Sequence, residues 1–126
     1  MAQQFDSTSP IYLQLADRII RQILRQELQP GGKLPSVRDM AVQSGVNPNT
    51  VQRTYTELER MGVTETRRGQ GTFVTENDAA LSKMRETMKE ERIMSFIRDM
   101  QELGFTSDEM LAGLEAIFMT EGGKES

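Results

Sequence analysis

The sequence predicts a mainly α-helical fold with one small β-hairpin, in the order of a winged helix-turn-helix followed by a C-terminal two-helix hairpin. Three observations predict it. Two short amphipathic stretches are separated only by a tight turn at residues 44–47. Two β-prone runs around a glycine-containing turn follow them. Two longer amphipathic stretches then occupy the remaining residues.

The first helix is expected to begin at Ser9 and Pro10, a capping residue followed by proline. It should end by Gln29, because the Pro-Gly-Gly run at residues 30–32 cannot continue a helix. Tyr12 widens the apolar face of this helix. We interpret it as a core residue, and a phosphate contact through its hydroxyl is the alternative. The apolar face itself repeats every four residues, at Ile11, Leu15, Ile19 and Ile23.

After a tight loop at residues 30–35, a short helix is predicted to start at Ser36. Ser36 and Asp39 have the S-x-x-D spacing of a capping box, in which hydroxyl and carboxylate each accept a bond from a free amide. The helix should stop near Ser44 and Gly45, since glycine tolerates the left-handed conformation of a sharp turn. Val46 is expected to fill the angle between this helix and the next.

The next helix is predicted to start at once, with Asn47 as its N-cap and Pro48 in the first helical position. Its apolar stripe consists of Val51, Tyr55, Leu58 and Met61. The opposite face carries amide, guanidinium and hydroxyl groups, which are the groups that read base edges in the DNA major groove. The alternative is an ordinary solvated surface. This polar face consists of Asn49, Gln52, Arg53, Thr56 and Arg60.

Gly62 should end that helix, and the β-prone runs at residues 63–66 and 72–74 should pair as a hairpin. Two arginines at the base of a glycine-containing turn suit a narrow, negative minor groove. The alternative is a surface hairpin with incidental arginines. The turn consists of Arg67, Arg68, Gly69, Gln70 and Gly71.

The C-terminal stretch predicts a long helix over residues 79–103, a C-cap at Gly104, a capping box from Thr106 to Glu109, and a last helix to Thr120. Two amphipathic helices of this size cannot bury their stripes alone, so we expect a symmetric homodimer. The methionines could instead line an adaptable ligand surface. The expected dimerisation residues are Leu81, Met84, Met88, Ile93, Phe96, Ile97, Met100, Met110, Leu111, Leu114, Ile117 and Phe118.

Composition limits the function. The 126 residues include no cysteine, histidine or tryptophan, which excludes zinc-type metal sites and most nucleophilic triads. We therefore expect neither an enzyme nor a cofactor. No apolar run approaches the about 18 residues of a membrane span. The first ten residues lack the regions of a signal peptide, so the cytoplasm is the expected location.

The formal net charge of −4 is unusual for a nucleic-acid binder. Residues 1–75 carry nine Lys and Arg against seven Asp and Glu, a net charge of +2. Residues 76–126 carry six against twelve, a net charge of −6. The acidic excess therefore lies outside the predicted DNA-binding region. Because +2 is small, non-specific affinity should be modest and its salt dependence shallow.

The strings LPSxRxxA, VNPNTVxRxYxxLExxG and RRGxGTFV resemble the DNA-binding domain of the GntR family of bacterial transcription regulators. The resemblance covers roughly residues 8–75. It implies that Ser36 contacts a phosphate. Many members have an arginine where this chain has Pro48, so one common base contact is absent. The other DNA contacts that the resemblance implies are Arg38, Asn47, Asn49, Thr50, Arg53, Arg68 and Gly69.

The short C-terminal part resembles the YtrA-type branch, in which it mainly dimerises and whose members are often local repressors. We therefore expect a DNA-binding domain over residues 1–75 and a dimerisation region, with a possible effector site, over residues 76–126. The expected function is sequence-specific transcription regulation, by repression at a pseudo-palindromic operator on double-stranded DNA. An effector would act through a hinge at residues 75–78. The alternative is a protein-interaction module that reuses the winged fold. From the residues themselves, Gln52, Arg67, Gln70 and Gly71 join the expected DNA contacts.

Overall fold

The computed structural model describes residues 5–121 and confirms the mainly helical class with one β-hairpin. In the described part of the chain, no helix is both long enough and apolar enough to cross a membrane. The elements, in chain order, are α1 (Ile11–Leu24), α2 (Val37–Ser44), α3 (Pro48–Arg60), β1 (Thr64–Arg67), β2 (Gly71–Val74), α4 (Asp78–Glu102) and α5 (Ser107–Glu121).

Two compact units share the chain, and their boundary falls inside α4, between Arg85 and Glu86. We call them the N-terminal unit and the C-terminal unit. The predicted boundary after residue 75 stays a prediction. The first two turns of α4 belong to the N-terminal unit, where the Arg85 guanidinium donates to the Leu24 carbonyl at 3.1 Å. Leu81 lines a cleft there beside Ile23, and this separates it from the later part of the predicted apolar stripe.

A single apolar core holds the N-terminal unit together. The apolar faces of α1 and α3 pack against each other, and α2 and β1 also pack on α3. Val46 is buried between the helices, as predicted. The largest side chains that are almost fully excluded from solvent are Ile19, Leu58, Val51, Val63 and Val74. Burial on this scale stabilises the unit by about 1.5–3 kcal/mol for each large apolar side chain.

The start of α1 differs from the prediction, and its end lies within the predicted limit at Gln29. The helix begins after Pro10, and no side chain caps it, so Ser9 is not the cap. It ends at Leu24, five residues before Gln29. There the Gln26 amide donates to the Ile23 carbonyl at 3.0 Å and the Glu27 amide to the Gln22 carbonyl at 2.8 Å. Gln26 adopts φ 65°, so a left-handed glutamine closes this helix where the sequence signal pointed to glycine.

Residues 31–34 form a third, edge segment of the wing, which the sequence analysis treated as a tight loop. The Leu34 amide donates to the Thr72 carbonyl and the Val74 amide to the Gly32 carbonyl, each at 2.8 Å. Lys33 pairs with Phe73 across an antiparallel bridge. Strands β1 and β2 pair in register from Thr64 with Val74 to Arg67 with Gly71. The chain entering α2 is therefore tied to the wing.

The predicted stop of α3 at Gly62 agrees with the structure, whereas the predicted place of Met61 in the buried stripe does not. The helix stops at Arg60, Met61 is the C-cap, and Gly62 follows with φ 80°. Met61 is 39% exposed, so it does not continue the buried stripe. Thr54 takes the remaining core position and is fully buried. Its hydroxyl donates to the carbonyl of Thr50 or of Tyr12, which lie at 3.0 Å and 3.1 Å.

The C-terminal unit begins within α4 and contains α5. Gly104 ends α4 with φ 91°, as predicted. A complete capping box starts α5: the Thr106 amide donates to Glu109 Oε1 at 2.9 Å and the Glu109 amide to Thr106 Oγ1 at 3.2 Å. Met110 is buried inside this unit and lines the groove between α4 and α5, and its predicted role in dimerisation stays a prediction. Most other apolar side chains of α5 are exposed.

Candidate nucleic-acid interface

The N-terminus of α3 is open and capped. Asn47 Oδ1 accepts a hydrogen bond from the Asn49 amide at 2.7 Å, and Pro48 occupies the first turn. Asn47, Pro48 and Asn49 are all exposed. Because the remaining first-turn amides point outward at the positive end of the helix dipole, this end suits a phosphate or a base edge. No acidic residue lies in the first turn to oppose that charge.

The outward face of α3 follows the prediction. Gln52, Arg53 and Thr56 are exposed, whereas Val51, Tyr55 and Leu58 are buried on the opposite side. The guanidinium carbon of Arg53 lies 3.9 Å from the centre of the Tyr12 ring. Tyr12 is half-buried at the edge of the core, and its ring lies beside the Arg53 guanidinium.

Arg60 differs from the other members of the predicted polar face because it is already paired. Its Nε donates to Glu57 Oε1 at 3.1 Å. This hydrogen bond, more than the charge of Arg60, lowers the pKa of the Glu57 carboxyl. Glu59 accepts a bond from the Thr66 hydroxyl at 3.0 Å. In the C-terminal half of α3, Glu57, Glu59 and Arg60 are therefore already hydrogen-bonded to other side chains of the protein. Most polar side chains in the N-terminal half face solvent.

A partly buried hydrogen bond joins α3 to the segment just before α2. The Tyr55 hydroxyl donates to the Pro35 carbonyl at 2.7 Å. Burial, with a smaller contribution from the charge of Asp39, raises the pKa of Tyr55 well above its usual range, so the hydroxyl stays a donor. Ser36 Oγ accepts from the Asp39 amide at 3.0 Å, which confirms the predicted cap. Ser36 and Arg38 are both exposed at this helix start.

The wing presents its turn to solvent. Arg68, Gly69 and Gln70 are exposed, and Gly69 adopts φ 77°. Arg67 is half-buried: its guanidinium carbon lies 4.1 Å from the centre of the Phe73 ring, and its Nε lies 3.7 Å from Glu65 Oε1. Arg67 therefore stiffens the hairpin, while Arg68 extends from the turn.

Gly71 has a structural reason to be glycine. Its φ of 122° disfavours any side chain, and an added Cβ would come within 2.8 Å of the Lys33 Cε. Lys33 itself is exposed and lies against the wing, so it adds a cation beside the turn. From its place in the loop before α2, the sequence makes Lys33 a candidate contact with the DNA backbone. Its position follows from the bridge between Lys33 and Phe73, which no local pattern could indicate.

All twelve predicted DNA contacts lie in the N-terminal unit, and the structure arranges them on the start of α2, the N-terminal half of α3 and the wing turn. Thr50, Arg67 and Gly71 are half-buried. The other nine are exposed: Ser36, Arg38, Asn47, Asn49, Gln52, Arg53, Arg68, Gly69 and Gln70.

A family model described as bacterial regulatory proteins, gntR family, matches residues 11–74, which is the region just described. The chain belongs to the GntR family. Within the family, it is 52% identical over 123 residues to an uncharacterised helix-turn-helix regulator of Bacillus subtilis, YhcF, and the match covers 98% of this chain and 100% of that protein. It is 37% identical over 122 residues to the B. subtilis repressor YtrA, covering 95% and 94%. These near full-length matches place this GntR protein in the YtrA-type branch.

Solved structures agree. A GntR family regulator from Listeria monocytogenes superposes with a TM-score of 0.84 at 33% identity, covering 89% of this chain and 98% of that one. The DNA-binding domain of AraR, solved in complex with its operator ORX1, superposes with a TM-score of 0.53 at 27% identity, covering 60% of this chain and 93% of that one. This GntR protein is a DNA-binding transcription regulator.

Proposed function

We propose that this regulator is a repressor that binds a pseudo-palindromic operator as a homodimer. The observation that carries the proposal is the outward half of α3, where a capped, open helix N-terminus adjoins exposed amide and guanidinium side chains. An operator complex is known for the AraR domain, whose fold resembles the N-terminal unit. On this proposal α3 lies in the major groove and the wing turn follows the adjacent minor groove.

The side chains divide by chemistry. Arg53, Asn49 and Gln52 have the donors and acceptors that distinguish guanine and adenine edges. Ser36, Arg38 and Thr50 sit where the backbone phosphates flank the groove and supply position rather than sequence. The wing turn, with Arg68 at its exposed tip, suits the narrow negative minor groove.

The C-terminal unit supports dimerisation with a second copy. A groove of about 560 Å³ lies between α4 and α5, and its lining is almost entirely apolar, with Phe96, Leu114 and Phe118 among the lining residues. Leu111 is 61% exposed and Phe118 60% exposed. An isolated helix pair cannot bury such a stripe. The same stripe on a second copy is self-complementary, which is what a two-fold interface requires.

Repression would follow from occupancy of a promoter, without catalysis, and would take place in the cytoplasm with the DNA. The family and its named relatives are transcription regulators. A small-molecule effector, if one binds, would alter the spacing of the two DNA-binding units through the segment at residues 75–78.

The test of DNA reading is selection of bound duplexes from a random pool, followed by titration of the winner against salt. We expect an enriched inverted repeat and binding that weakens as salt rises. Arg53→Ala should lose about 1–3 kcal/mol on that duplex and relax specificity at one base pair. Arg25→Ala makes the same charge change in an exposed pair with Glu27 and serves as the control. If the selection enriches no sequence, the proposed DNA recognition is wrong, and a protein-interaction module is the better interpretation.

The test of dimerisation is sedimentation equilibrium of the full chain. Phe118→Glu places a charge in the proposed interface and should shift the protein to monomer, with much weaker operator binding. Val42→Glu makes the same kind of change at a side chain that is 78% exposed in the N-terminal unit, and it should leave the mass unchanged. A wild-type monomer at all concentrations would contradict the proposed dimer.

A further inference from the structure

The contact between Arg53 and Tyr12 joins the proposed reading face to a helix outside the helix-turn-helix. Tyr12 is the second residue of α1, and the Arg53 guanidinium carbon lies 3.9 Å from the centre of its ring. A guanidinium over the face of an aromatic ring is attracted by the electrons of the ring. This stacking leaves the N–H donors of the guanidinium, which lie in its plane, available to a ligand.

The ring is fixed relative to α3 by the residue next to Arg53. Thr54 is fully buried, and its hydroxyl lies 3.1 Å from the Tyr12 carbonyl oxygen. This hydrogen bond therefore fixes the backbone of Tyr12 relative to α3, the helix that carries Arg53. A free arginine samples many rotamers, and a ring face in a fixed place restricts them.

The neighbouring acid does not compete strongly for Arg53. Glu57 lies one turn after Arg53 and is hydrogen-bonded by both Nε and Nη2 of Arg60. Glu57 forms its ion pair with Arg60. Stacking on Tyr12 is thus the contact that sets the direction of the Arg53 side chain in the free protein.

We propose that Tyr12 is a positioning residue for Arg53: its ring presents the guanidinium in the orientation that reads a base, so part of the operator specificity is encoded in α1. This inference rests on the proposed function, in which Arg53 contacts a base. The role belongs to the ring and does not require the hydroxyl.

The experiment compares Tyr12→Phe with Tyr12→Leu in the full chain, using the selected operator and a variant changed at the base pair where Arg53→Ala relaxes specificity. Tyr12→Phe should keep affinity and discrimination. Tyr12→Leu should lose about two- to fivefold in operator affinity, the size expected of an exposed cation–π contact, and the loss should vanish on the altered duplex. In an Arg53→Ala background, Tyr12→Leu should have no further effect.

Several outcomes would overturn the inference. A loss in Tyr12→Phe equal to that in Tyr12→Leu would assign the effect to a hydroxyl contact with phosphate. An equal loss on all duplexes, or an undiminished loss beside Arg53→Ala, would assign it to general structure. A gain in operator affinity in Tyr12→Leu would mean that stacking on the ring keeps Arg53 away from the base. If wild-type protein selects no sequence, the proposed function itself has failed, which is a separate result.

A spectroscopic measurement covers the case in which Tyr12→Leu does not fold. In wild-type protein and in Tyr12→Phe, the Arg53 Nε–H resonance should show an upfield ring-current shift that differs from that of the other exposed arginines. Absence of this shift in the folded wild-type protein would contradict the stacked geometry and the inference with it.

Discussion

The two units solve the same problem of burying apolar side chains in opposite ways. Among the described residues, every buried apolar side chain except Met110 lies in the N-terminal unit. The C-terminal unit instead leaves Leu111, Ile117 and Phe118 about 60% exposed. Each unit contains helices with side-chain caps, so helix formation does not distinguish the two units. The difference teaches that the N-terminal unit carries its own core, whereas the C-terminal unit leaves most of its apolar side chains exposed, which is the basis of the proposed dimer.

The largest expected effect concerns the cores. Leu58→Ala, at a fully buried position, should cost about 2–5 kcal/mol of unfolding free energy in the N-terminal unit. Leu111→Ala, made in a Phe118→Glu background to remove association, should change stability by no more than about 0.5 kcal/mol. Denaturant titration measures both. Both tyrosines, Tyr12 and Tyr55, lie in the N-terminal unit, so near-ultraviolet circular dichroism reports that unit separately. Equal losses of unfolding free energy in the two variants would contradict the difference between the two units.

A second pair of variants tests whether a buried hydroxyl contributes more to stability in the N-terminal unit than an exposed hydroxyl does in the C-terminal unit. Thr54→Val removes a buried donor that serves Tyr12 or Thr50, and should cost about 1 kcal/mol. Thr120→Val removes an exposed hydroxyl that donates to the Ala116 carbonyl of its own helix, at 2.9 Å. Its cost should be within error of zero. Thermal unfolding is sufficient for this comparison, and a larger loss at Thr120 would contradict it.

Helix caps should contribute about equally to local stability in the two units. Ser36→Ala and Thr106→Ala each remove a side-chain oxygen that accepts an amide bond, at 3.0 Å and 3.2 Å. Each should cost about 1 kcal/mol locally. Hydrogen exchange of the Asp39 and Glu109 amides measures this in each unit without global unfolding. Faster exchange at only one of the two amides would mean that the caps are not equivalent.

The smallest expected effect is a pH dependence confined to the N-terminal unit. Burial raises the pKa of Tyr55, so the folded state holds the hydroxyl proton more tightly than the unfolded state does. The resulting stabilisation is present below about pH 10 and is lost as the pH rises further. Tyr55→Phe should remove this alkaline loss while costing some stability at neutral pH. Unfolding midpoints across alkaline pH measure it, and an identical alkaline decline in the variant would contradict the assignment.

Local chemistry made most of the fold predictable. The positions of α2 to α5 agree with the prediction to within about one residue, because caps, glycines and apolar periodicity act over one or two turns. The end of α1 could be limited only to Gln29 or earlier, because a glutamine adopts the left-handed conformation that usually marks glycine. The third segment of the wing was missed because its partners, Thr72 and Val74, lie far along the chain.

The sequence predicted the exposed residues of the candidate DNA-binding surface. It did not predict the contacts that hold those residues in place. Helical periodicity alone separates Gln52 and Arg53 from the buried stripe. The stacking of Arg53 on Tyr12 and the placement of Lys33 against Gly71 depend on how α1 and the wing pack, which no spacing within α3 encodes. The predicted contacts with DNA and with a second copy stay predictions until they are measured.

The pairing of residues 31–34 with β2 has a consequence for how this sequence can change in length. The hydrogen bonds from Leu34 to Thr72 and from Val74 to Gly32 fix the register between the loop and the wing. One inserted residue there would turn alternate side chains to the opposite face and expose Leu34, which is 2% exposed. The residues before Gly31 lie outside this register, and the hydrogen bonds of Gln26 and Glu27 there are local ones to the end of α1. Length variation should therefore be tolerated just after α1 and excluded just before α2.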